Sequence, residues 1–349
     1  MKVKKITAAM LALAVSVTAV SFTAFAAGTK VPITEKYFPD ENFREYVSQF
    51  DTDGNGFLSQ KERDAVTEID VGAMKIKSLT GLSYFQNLEY LDCSFNIRLT
   101  KLNLSKNIKL ESLMCGVCEL TELDVSKNVK LKNLNCRDNK LTDIDISKNT
   151  ELKELLCNLN KLTKLDLSQN TELESLDCSV NEIAKLNVRR NIKLKKLYCY
   201  QNHLTSLNIS KNTKLEELRC NSNKIAILDP SKNTGLERLD CDDNKITKLN
   251  VSRNIKLKWL DCGYNSLTEL DVSKCTELEL LYCEENQLTS LDVSKCPKLN
   301  TLYCCENKLT ELDLSNIYML VYFDCAEDEN LKVTYPVENE NDYWFDDVC

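Results

Sequence analysis

The sequence predicts a mainly β repeat solenoid, with 21-residue units stacked into parallel sheets and a small helix-loop-helix cap at its N-terminal end. Three observations predict it. From Leu99 onward the chain returns every 21 residues, as in LTELDVSKNVKLKNLNCRDNK (120–140) and LTKLDLSQNTELESLDCSVNE (162–182). Within each unit apolar residues come in pairs two apart, such as Leu207 with Ile209 and Leu218 with Cys220. That spacing puts both members of a pair on one side of a short extended segment. Ahead of the repeats, residues 51–62 read DTDGNGFLSQKE, an acidic, glycine-bearing loop between two helical patterns.

The N-terminus has Lys2, Lys4 and Lys5, an apolar run to about Phe25, and small residues at Ala24 and Ala26. Residues 1–26 read as a cleavable signal peptide, which implies a secreted or cell-surface protein with no membrane insertion after cleavage. Its removal takes the formal charge from −8 to −11. Acids and bases are interspersed without a basic stripe, which excludes nucleic acid as a partner.

The cap is expected over residues 31–71. Asp40 can cap a helix whose Phe43, Tyr46, Val47 and Phe50 share one face, and Ser59 with Glu62 forms an S-x-x-E helix start. The loop between them matches an EF-hand-like calcium loop at every ligand position. Asp51, Asp53 and Asn55 supply side-chain oxygens, and Gly56 makes the sharp turn. Phe57 offers its carbonyl, Ser59 a direct or water-borne ligand, and Glu62 both carboxylate oxygens. EF-hands that sense calcium usually work in pairs; a single loop predicts one structural Ca2+. The competing reading is a capping box beside a polar turn.

The repeats run over 72–331. The apolar pairs predict two short strands per coil, with turns between them because the period is too short for an ordinary helix. Two asparagine columns, Asn107 to Asn254 and Asn139 to Asn307, are expected to satisfy turn backbone coil after coil. Cys118, Cys275 and Cys296 interrupt the columns as small, weakly donating substitutes. The main cysteine file, Cys93 to Cys325, fills a slot held by Val, Leu or Ile in the sister block. In-register strands about 4.8 Å apart are too widely spaced for easy bridging, and a straight file gives a metal no tetrahedral site. Buried packing is the expected role.

The block LxxLxCxxNxL, filled by Leu215, Leu218, Cys220, Asn223 and Ile225, is the hallmark of leucine-rich repeats. The tandem LxxLDVSxN resembles the irregular bacterial class with two nested motifs per repeat. The segment before it resembles the EF-hand-like cap of such proteins secreted by Gram-positive bacteria.

The DVSKN block is nearly uniform, as a scaffold should be, whereas positions beside the cysteine file vary. Tyr198, Tyr200, Tyr264, Tyr282 and Tyr303 lie there, interleaved with acids. They are the candidate ligand-binding face, for a protein or a glycan. The alternative is a cell-surface scaffold with no specific ligand. The single histidine, His203, sits in a turn position, and no nucleophile elbow or paired acids stand out, so an enzyme is not expected. Residues 332–349 should cap the last coil; Cys305 and Cys349 are the candidate accessible thiols.

Overall fold

The computed structural model describes residues 30–325 and 331–336. The expected signal peptide, most of the C-terminal cap and Cys349 lie outside the described residues. A parallel sheet of 13 three-residue strands runs from Glu68–Asp70 to Tyr322–Asp324 and forms one long wall of a solenoid. Pairing is in register: Glu217, Leu218 and Arg219 face Arg238, Leu239 and Asp240 of the next coil. In every strand of this sheet but the last, where Phe323 is partly buried, the middle residue is buried and its neighbours point outward, which is the period-two pattern expected for one inward face.

The second predicted strand per coil does not form over most of the molecule. Its apolar residues are buried, Leu207 and Ile209 among them, but the backbone beside them bends. The Asn208 carboxamide accepts the Ser210 N–H at 3.1 Å, and Asn212 N donates to Ile209 O at 2.9 Å. The same local bond, Ser315 N to Asp313 Oδ1 at 2.8 Å, is present on the segment of this wall that does pair, so it marks the turn without excluding a ladder. Strands pair on that wall at the far end, where Glu311–Asp313 lies parallel to Lys332–Thr334.

Both asparagine columns behave as expected. Asn191 is fully buried, and its Nδ2 donates to Leu167 O at 3.1 Å and Asn170 O at 2.8 Å. In the other column Asn202 donates to Cys178 O and Cys199 O and accepts the Ile183 N–H at 3.0 Å. This column begins one coil earlier than the repeat pattern suggests, at Asn96. The cysteine substitutes take over the same carbonyls: Cys118 Sγ reaches Cys93 O at 3.4 Å, and Cys275 Sγ reaches Val251 O at 3.8 Å. Every member of the main file from Cys93 to Cys304 is fully buried. Burial pushes the Cys136 thiol up to about 12, so it is a poor nucleophile at neutral pH.

A third column was not legible in the sequence. The residue before each asparagine of the second column holds a left-handed backbone, from Phe95 and Val117 through Leu159 and Tyr264 to Glu306. Such residues are not left-handed formers, and each costs about 1–2 kcal/mol there. The neighbouring asparagine and the inter-coil bond, such as Asp138 N to Asn158 O at 2.9 Å, hold the turn in place.

At the N-terminal end, helix α1 (Glu41–Ser48) and helix α2 (Gln60–Ala65) cover the first coil. Asp40 does two jobs. Its Oδ1 caps α1 through Phe43 N, and its Oδ2 accepts Lys77 N at 2.7 Å and Ser78 N at 3.2 Å from the first coil. Phe38, Phe43 and Phe85 are fully buried between cap and solenoid.

Candidate metal centre and binding face

The acidic loop closes on itself as its sequence implies. Gly54 and Gly56 have positive φ and let the backbone turn around the acids. Asp51 accepts Asn55 N at 3.1 Å and Gly56 N at 2.7 Å, while Asn55 Oδ1 accepts Phe57 N at 2.9 Å. Carboxylate oxygens of Asp51, Asp53 and Glu62 converge to within 4.8 Å of one another. The loop strand Phe57–Leu58 pairs antiparallel with Val31–Pro32, which ties the loop to the segment that leads into the helices.

Glu62 also carries the competing role. It forms a capping box with Ser59, and its other oxygen accepts the Thr52 N–H at 2.7 Å and the Thr52 hydroxyl. These bonds, Ser59 first, hold its carboxyl down at about 2, so it stays ionised across the physiological range. An ionised carboxylate has about four acceptor sites, and Thr52 and Ser59 each fill two, so a cation at Glu62 would take the place of some of these donors. The donor set, all hard oxygen, fits Ca2+.

The sheet face is divided differently from its tyrosine list. Tyr282 and Tyr303 stack with ring centroids 5.0 Å apart, and Trp259 joins them at 6.1 Å. Tyr198 lies three coils before Trp259. Its hydroxyl donates to Glu217 at 2.7 Å, and the Arg219 guanidinium lies over its ring. Tyr264 belongs to the left-handed column and is half exposed, and Tyr200 sits in the column after the cysteines. The five tyrosines therefore share a wall but not one cluster. Sequence reading missed Trp259 and Arg238, which stack at 3.2 Å, because the first position of each strand showed no aromatic trend.

Between the arginines and the stacked rings lie Asp240, Asp242 and Asp261, with carboxylate oxygens within 4.8 Å of one another. Burial, then the charges of Asp261, Asp240 and Asp243, push Asp242 up to about 8. Burial, then Asp240 and Glu284, push Asp261 up to about 7, against the pull of Arg238. A carboxyl raised on folding holds its proton more tightly folded than unfolded. Its contribution to stability is present below the unfolded value near 3.8 and is lost as pH rises through 7 to 8. Asp242→Asn is therefore expected to raise stability near pH 8 by about 2 kcal/mol after solvent screening, and to change it little near pH 4. Urea titrations at both pH values check this; an equal effect at both would mean that crowding of charge is not the cause.

Comparison with solved structures places the chain. The functional domain of InlJ from Listeria monocytogenes, described as including a cysteine ladder, is 35% identical with TM-score 0.79, over 89% of this chain and 73% of that one. The chain belongs to the internalin-type leucine-rich-repeat proteins. An internalin, inlF, from Listeria monocytogenes shares the fold at 24% identity and TM-score 0.77, covering 88% of this chain and 93% of that one. The plant peptide hormone receptor RGFR1, solved in complex with RGF2, shares it at 21% identity and TM-score 0.64, over 73% of this chain and 45% of that one. No family model matches the sequence, and no curated protein does. In this internalin-type chain the file from Cys93 to Cys325 follows directly after the strands, and Cys262 Sγ contacts Tyr282 O at 3.5 Å. Among the described residues no helix is long and apolar enough to cross a membrane.

Proposed function

We propose that this protein is an exported, non-enzymatic binding protein that recognises a protein ligand through the variable face of its repeat sheet. The observation that carries the reading is a contrast within each coil. The turn side repeats the same local bonds, while the strand face changes from Asp177 and Tyr198 to Arg219, Asp240 and the stacked rings beyond. Leucine-rich-repeat neighbours support protein binding in general, and the RGFR1 complex shows a peptide ligand on that fold. Panning a random-peptide display library on the full chain tests it. Enriched clones should lose binding when Tyr198, Tyr200, Tyr264, Tyr282 and Tyr303 are all changed to serine. Clones that bind both proteins equally would place recognition elsewhere, and failure to enrich any clone would favour the scaffold alternative.

Within this reading, Asp51, Asp53, Asn55, Phe57, Ser59 and Glu62 hold one Ca2+ that ties the cap together. Its role is structural: it screens the converging acids and fixes the start of α2. Saturating calcium should stabilise the chelator-treated protein by about 2–3 kcal/mol at a hundredfold excess over Kd. Glu62→Gln should abolish the shift. Superimposable melting curves with and without chelator would reject the site.

A further inference from the structure

Among the described residues, 12 buried side-chain nitrogen and oxygen atoms lack a hydrogen-bond partner. Eight belong to the first asparagine column. The other four, Arg238 Nε, Asp240 Oδ1, Trp259 Nε1 and Glu284 Oε2, all lie on one patch of the sheet face. Buried polar groups are nearly always satisfied, and Arg238 Nε has the Glu217 carboxylate at 3.8 Å, so the other three in one place mark a surface that is completed by something else.

The patch has a definite chemistry. Its arginines are already engaged: Arg219 pairs with Glu217 at 3.1 Å, and Arg238 lies flat on Trp259. Asp240, Asp242, Asp261 and Glu284 are partly buried and crowded, and each is held above its ordinary pKa chiefly by that burial. Such a group gains from an incoming positive charge. The rings beside it discriminate further. Tyr282 and Tyr303 stack nearly parallel, at 22°, so their faces are turned to each other and their edges to solvent. A sugar ring stacks on an open aromatic face; an aliphatic chain packs along edges.

We infer that this patch seats a basic protein segment, an inference that rests on the sheet-face reading above. A lysine or arginine of the partner lays its stem along the edges of Trp259, Tyr282 and Tyr303 and delivers its charge to Asp242, Asp261 and Glu284. The charged head supplies donors to the unpartnered carboxylate oxygens of Asp240 and Glu284. A neighbouring carbonyl of the partner accepts from the Trp259 indole. The excess negative charge of the chain steers such a partner toward the face.

Fluorescence anisotropy with a labelled lysine–glycine peptide tests the inference on the full, calcium-treated chain. Length-matched peptides carrying glutamine or glutamate in place of lysine serve as references. The lysine peptide should bind at least about tenfold more tightly than the glutamine peptide at about pH 8. It should bind more weakly at about pH 6, where Asp242 and Asp261, faced by Asp240, Asp243, Glu284 and Arg238, take up protons. Asp242→Asn combined with Asp261→Asn should cost about tenfold, and Glu284→Gln a smaller loss. Glu122→Gln with Asp143→Asn, an equal charge removed from the turn side, should change affinity less than about twofold. Equal losses in the two double variants would reduce the effect to general attraction and overturn the proposal. Terbium luminescence sensitised by Trp259, lost in Asp242→Asn with Asp261→Asn and competing with the peptide, would assign the patch to a metal ion instead. An oligosaccharide that displaces the lysine peptide would overturn it in favour of a glycan. Display clones that need the five tyrosines but tolerate the double Asp→Asn change would sink the basic-segment inference alone. Clones indifferent to both sets of changes would sink the sheet-face reading as well.

Discussion

Asn191→Ala is expected to destabilise the solenoid by about 1–3 kcal/mol, and Asn191→Cys by no more than about half of that. Asn191 is fully buried in the middle of its column, and its Nδ2 serves two carbonyls on the preceding coil. Alanine takes one of two donors from each carbonyl, since Leu167 O keeps Asn170 N at 3.1 Å and Asn170 O keeps Leu173 N at 3.3 Å, so the loss is two hydrogen bonds of about 0.5–1.5 kcal/mol each. Part of that loss is offset, because the Asn191 Oδ1 has no partner and its removal relieves an unsatisfied acceptor. Cysteine keeps a weak donor at the same place. The chain itself makes this exchange at Cys275 and Cys296, whose sulfurs reach the equivalent carbonyls at 3.8 Å and 3.7 Å. Each coil leans only on its neighbours, so a weakened coil can also split the unfolding transition. Urea denaturation followed by circular dichroism should show the Ala variant below the Cys variant. If the two substitutions cost the same, packing volume rather than donation explains the column.

This prediction draws on features that were legible in the sequence. Period and apolar spacing fixed the solenoid, because burial alternates along a strand whatever the outward residues are. The asparagine columns were equally plain, since a buried amide at a constant offset has few other uses. The error of a second strand per coil came from the same source. Leu207 and Ile209 are buried with strand spacing, yet among the described residues no backbone ladder joins their segment to the neighbouring coils. Spacing reports which side is buried, not whether backbone pairs with backbone. The site was legible in part. The convergence of Asp51, Asp53 and Glu62 could be read because all three lie within one twelve-residue stretch. The sheet-face patch could not, because Arg238, Trp259, Asp261 and Glu284 come from three coils and meet only through register.

Gly81→Ala should cost about 3–5 kcal/mol and loosen the N-terminal cap from the first coil. Gly81 has φ +107°, a backbone that alanine adopts only under strain of about 1–3 kcal/mol. A Cβ there would also stand 2.4 Å from Phe38 Cδ1 and 2.8 Å from Tyr37 O. Phe38 is fully buried among Phe43, Tyr84 and Phe85, so its ring cannot swing aside without opening the joint. Overpacking of this kind costs about 1–3 kcal/mol more. The same joint carries Asp40, which links α1 to Lys77 and Ser78. Calcium and Gly81 thus act on different parts of one cap: the ion would order the loop between α1 and α2, and the glycine lets that unit sit on the coil. In Gly81→Ala, calcium should still bind the loop, read by terbium luminescence, but should no longer raise the unfolding midpoint of the repeats. Limited proteolysis should then cut between the cap and Leu88 before it cuts the coils. A variant that keeps both the wild-type midpoint and its calcium shift would show that the aromatic joint relaxes freely, and that the cap does not depend on this close approach.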